Sequence, residues 1–135
     1  MDPQVSAPLT STLATAGALG LMYIGLAARV IRGRFAFRVS LGDGGKPEML
    51  ARIRAHANFS EYVPLVLILM GLIEVSGGSK TVLAWCGAAL IVARVLQAIG
   101  VEMPKSPNPY RFVGTITTFL LVIGFSIWCL RIALG

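Results

Sequence analysis

The chain has 135 residues, 56% hydrophobic and only 13% charged, with a net charge of +6. A soluble domain carries about a quarter charged residues, so this composition excludes an ordinary water-soluble core and points to a membrane protein. Strand-like alternation is absent, which excludes a membrane barrel and leaves an all-α integral membrane bundle, read as one domain over residues 1–135.

The first apolar run extends from about Leu9 to Ile31. A helical span needs roughly 20 apolar residues, so this run is long enough to cross. The preceding Met1-Asp2-Pro3-Gln4 has no basic character, so the run reads as a retained span rather than a cleaved leader. Ala16 and Gly20 form a small-xxx-small pair suited to close helix approach. Tyr23 is the one aromatic in the run; it is either a packing residue or one whose ring or hydroxyl faces a ligand.

Seven of the twelve basic residues lie between Arg29 and Arg54. Flanked by spans, such a cluster marks a cytoplasmic loop rather than a nucleic-acid surface. Leu41-Gly42-Asp43-Gly44-Gly45-Lys46-Pro47 is a connector without the spacing of a phosphate-binding loop.

The second helix is predicted from Pro47 to Val75, with Pro47 and Glu48 suited to its first turn. Arg54, Asn58 and Glu61 fall at i, i+4 and i+7 and share one face where the chain enters lipid. Polar groups there are costly unless paired or used. Pro64 is expected to kink the helix. Glu74 is expected to be solvated near the opposite surface or paired with Lys80. Ser76-Gly77-Gly78-Ser79 is a turn.

The third helix is predicted from Thr81 to Val101, with Ala84 and Ala88 as its close-packing pair. Arg94 and Gln97 share a face. An arginine at mid-membrane costs about 2.5 to 3.5 kcal/mol, so Arg94 is expected to snorkel or to meet Glu61. A structural ion pair that fixes helix register is the competing reading. The proline-rich loop Glu102–Pro109 follows, and the fourth helix is predicted from Tyr110 to Leu134. Arg111 lies in its first turn, where a cation opposes the helix dipole; a bound anion would compensate both. Four spans with basic loops inside place both termini outside. Cys86 and Cys129 sit in apolar runs without metal-ligand spacing, so no metal site is expected.

Arg54-Ala55-His56-Ala57-Asn58, with Glu61 and Pro64 after it, resembles the helix-two signature of the membrane-associated proteins in eicosanoid and glutathione metabolism, the MAPEG family. The length and four-span plan are similar too. The Gly42–Gly45 loop and Asn58–Tyr62 look most like its short bacterial branch. The resemblance implies a homotrimer in a bacterial inner membrane, where the outside termini read above would be periplasmic. It implies glutathione as cosubstrate, bound between subunits near the cytoplasmic face. Arg54, Asn58 and Glu61 match glutathione-contacting positions, Arg94 and Tyr23 match an arginine of helix three and a tyrosine of helix one, and Arg111 matches the arginine associated with the thiol. Ala57, Gln97, Val101 and Phe112 depart from residues found in eicosanoid-synthesising members.

The residues fit that ligand chemically. Arginines suit its two carboxylates, Glu61 its ammonium, and Asn58 can donate and accept. A guanidinium beside a thiol favours the reactive thiolate. His56, pointing off the Arg54–Asn58–Glu61 face, reads as structural. The implied activity is glutathione transfer to lipophilic electrophiles, or peroxide reduction. A non-catalytic protein whose polar face is an ion-pair network or a lipid-headgroup site is the alternative; a channel would need a continuous polar path that the outer halves lack.

Overall fold

The computed structural model describes residues 9–135, so the expectations for Met1–Gln4 and the N-terminus lie outside the described residues. Four helices follow in order: α1 Thr10–Phe37, α2 Pro47–Val75, α3 Lys80–Glu102 and α4 Pro109–Leu134. All four are long and apolar enough to cross a membrane. Helices α2 and α3 form the central pair. Each touches both α1 and α4, while α1 and α4 do not meet. The core between them is built from Leu19, Phe59, Val66, Met70, Leu90 and Phe125 and their neighbours. Large apolar side chains such as Leu21, Ile68, Trp85 and Leu120 face outward, as lipid contact requires.

Helix α1 runs six residues past the predicted end. Its arginines are good helix formers and do not stop it. It ends at Arg38, a left-handed residue at φ 56°, with Val39 N–H donating to Arg34 C=O at 3.0 Å. Helix α2 stays continuous through Pro64.

Within the chain, the close approaches are made by other small residues than those expected. Gly20 meets nothing, and Ala84 and Ala88 are exposed. The tight crossings fall instead at Gly87, which packs on Thr15 of α1, and at Gly114, where an added Cβ would lie 2.5 Å from the Ala93 carbonyl oxygen of α3. Helix contact depends on which face meets a neighbour, and spacing alone does not select that face.

Glu74 corrects its expectation. It is 1% exposed, and its two carboxylate oxygens accept from the backbone N–H groups of Ser11 at 2.9 Å and Thr12 at 2.8 Å. Leu9, the residue before α1, gives no side-chain cap. The carboxylate of α2 therefore serves as the N-terminal cap of α1, where the helix dipole favours a negative charge. Lys80 contributes its backbone carbonyl, which accepts from Ser11 Oγ at 3.0 Å.

Candidate functional site

At the opposite end, α2 and α4 begin and α3 finishes. Arg29 of α1 pairs there with Glu102 of α3. Asn108 fixes the start of α4. Its Oδ1 accepts from Tyr110 N–H at 3.0 Å and Arg111 N–H at 3.3 Å, while its Nδ2 donates to the Gly100 carbonyl at 2.9 Å. One side chain thus caps α4 and ties it to the last turn of α3. Gly100 permits the approach, since an added Cβ would sit 2.5 Å from the Arg111 backbone nitrogen. Together these two residues set where Arg111 stands. Asn-Pro before an apolar run is a helix-start signal that points to Asn108; nothing local marks Gly100.

Between the three helix ends lies a cleft of about 260 Å³ that includes Arg54, Asn58, Gln97, Val101 and Arg111 in its lining. The structure thus brings Arg54, Asn58 and Arg111 together. Among the described residues no acidic one lines the cleft, and the N-termini of α2 and α4 both lie at it. Two guanidiniums and two positive helix ends give it a composition that favours negative charge. Arg111 also borders a second groove of about 560 Å³, formed with Pro107, Pro109, Phe112 and Thr115.

Arg94 lies behind this cleft rather than in its wall. It is 2% exposed, and Nη2 donates to Asn58 Oδ1 at 2.5 Å. It neither snorkels nor meets Glu61. Glu61 is exposed and makes no hydrogen bond or ion pair among the described residues. Its position on α2 turns it outward, whereas Asn58 faces α3. The Arg94 bond engages the Asn58 oxygen and leaves the amide nitrogen without a partner among the described residues. Gln97, 3% exposed, accepts from Thr115 Oγ1 at 2.8 Å and so couples α3 to α4.

Tyr23 stands elsewhere. Its ring lies 4.8 Å from His56 and 6.0 Å from Phe59, over an apolar groove between α1 and α2 that includes Ala16, Gly20, Ser60 and Pro64. His56 turns away from the cleft, as expected. Cys86 and Cys129 are free, and no cluster of metal ligands occurs among the described residues.

The MAPEG family model matches residues 12–131. The inner membrane protein YecN of Escherichia coli is 37% identical over 71 residues, in strain K12 and in strain CFT073 alike. That match covers 53% of this chain and 54% of the relative, so the chain spans about half the length of the curated relatives it matches. No solved structure matches the chain.

Proposed function

Because the chain belongs to the MAPEG family of integral membrane proteins, we propose that it is a single-domain, membrane-bound glutathione-dependent transferase acting on lipophilic electrophiles, with hydroperoxide reduction as a related activity. The observation that carries this reading is the cleft that gathers Arg54, Asn58 and Arg111 at two helix N-termini, with no acidic side chain among the described residues that line it. Glutathione supplies the thiol nucleophile. Arg54 pairs with a carboxylate, and Asn58, held by Arg94, donates its amide N–H. Arg94 acts through Asn58 as a positioning residue. Arg111 stabilises the sulfur as thiolate. It also borders the groove with Phe112 and Pro109, where an apolar electrophile can lie against the same guanidinium.

The cleft of about 260 Å³ falls below the range of about 300 to 1,000 Å³ usual for small-molecule sites. Glu61 and Tyr23 stand outside it. A homotrimer completes the site in this reading, with Glu61 and Tyr23 facing ligand held against a neighbouring subunit. Native mass spectrometry in detergent with glutathione present is expected to give trimers carrying glutathione. Monomers alone count against the assembly. Trimers that never retain glutathione favour a second reading, in which the polar face only pins helices together; the buried Arg94–Asn58 bond is the observation on its side.

The basic end is assigned to the cytoplasm of a bacterial inner membrane, with both termini periplasmic. Impermeant thiol labelling of intact cells should therefore modify Ser79→Cys and spare Ser106→Cys. The reverse pattern overturns the orientation.

A further inference from the structure

We propose that the last turns of α1 and the loop after it form a binding site for an anionic phospholipid, with the phosphate held by Arg38 and the upper acyl chain lying on Ile31 and Phe35. The site is separate from the Arg54–Arg111 cleft, and the inference stands whether or not glutathione binds.

Length places this segment at the membrane surface. Helix α1 has 28 residues, about 42 Å at about 1.5 Å per residue, whereas the hydrocarbon is about 30 Å thick. Its last turns therefore reach the headgroup layer. There the side chains divide in the way that layer demands. Phe35 is 81% exposed and Leu41 86%, beside arginines. Exposed apolar side chains interleaved with cations are costly in water and suited to the boundary between headgroups and acyl chains.

The cations differ in what they already do. Arg29 is paired with Glu102. Arg34 donates to the carbonyls of Ser40 at 3.3 Å and Gly42 at 3.0 Å, folding the loop back on the helix. Lys46 and Arg52 lie over the Phe37 ring, at 5.8 Å and 5.5 Å. Arg32 and Arg38 are exposed, and their side chains have no partner among the described residues. A groove of about 520 Å³ lined by Ile31, Arg34, Phe35, Arg38, Val39 and Ser40 lies between the helix end and the loop. Residues 29–54 carry seven basic side chains against Asp43 and Glu48. The net field selects an anion, and the exposed Phe35 and Ile31 select one with a hydrocarbon tail.

Arg38 adds an independent observation. It occupies the left-handed position that ends α1, at φ 56°, where glycine is favoured and a branched or long side chain is strained. A residue kept there against local preference points to use of its side chain.

The left-handed position also supplies a clean test. Arg38→Gly removes the guanidinium and suits the left-handed backbone, so a loss of binding at unchanged Tm reports the lost cation. The full-length protein in detergent is titrated with phosphatidylglycerol or phosphatidylcholine, and retained lipid is counted by native mass spectrometry. The expected result is preferential retention of phosphatidylglycerol that falls about fivefold in Arg38→Gly, the effect of one surface cation. Arg131→Gln, at the other end of the bundle, should retain the wild-type preference, and excess inorganic phosphate should not displace the lipid. Equal retention of both lipids, an unchanged Arg38→Gly, or an equal loss in Arg131→Gln overturns the proposal. Displacement by inorganic phosphate would mean a bare anion site, and displacement by an oligonucleotide a nucleic-acid surface; either also overturns it.

Discussion

Arg111→Ala is expected to slow conjugation of a model electrophile by about 100- to 1,000-fold, the usual loss when one preorganised charge-stabilising donor is removed. The loss should fall on kcat, with little change in KM for glutathione, if Arg111 acts on the sulfur while Arg54 and Asn58 hold the peptide, as proposed. Helix α4 should form normally in the variant, since its cap is the Asn108 side chain and not Arg111. Removing a cation from the third position of the helix also lessens an unfavourable interaction with the dipole. A variant as stable as wild type and nearly inactive therefore assigns the defect to chemistry. Steady-state kinetics over both substrates separates the cases: an unchanged kcat, or a loss confined to KM, removes Arg111 from the sulfur.

Glu74→Ala is expected to be the most damaging change to stability. The carboxylate bonds two backbone N–H groups of α1, one buried and one part-buried, and alanine leaves both without that acceptor. Orphaning buried donors costs about 1 to 3 kcal/mol each, and the helix end loses its compensating charge. A fall in Tm of about 10 °C in detergent follows for a chain of this size. Glu74→Gln keeps one carbonyl oxygen and should lose less. A Tm for Glu74→Ala within about 2 °C of wild type would contradict the capping role, because even one lost bond of this kind exceeds that shift.

Glu74 also marks where the sequence stops being legible. Next to a Gly-rich turn and six residues from Lys80, it looks like a solvated surface acid. Its actual partners, Ser11 and Thr12, are more than sixty positions away, and no local pattern announces them. The four spans were legible because an apolar run of about 20 residues is stable chiefly where hydrocarbon surrounds it. Their ends were less so. The charged stretch after Ile31 looks like a stop, yet arginine extends a helix readily. On α2, the i, i+4, i+7 spacing identified a polar face but not its use within the chain. Arg54 and Asn58 reach the cleft, while Glu61 is turned outward. Charge complementarity suggested Glu61 as the partner of Arg94, and geometry gave that place to Asn58. Gly100 was silent because its role is to be absent where the Arg111 backbone passes.

The most direct measurement is the ultraviolet difference spectrum of the purified protein with glutathione near neutral pH. Free thiol is mostly protonated there, with an ordinary pKa of about 8.5. A saturable thiolate absorbance is expected in wild type. It should be lost in Arg111→Ala and shifted to higher glutathione concentration in Arg54→Ala. Absence of any saturable thiolate signal in wild type, or a signal equally strong in Arg111→Ala, would contradict a cleft built to hold glutathione as its reactive anion.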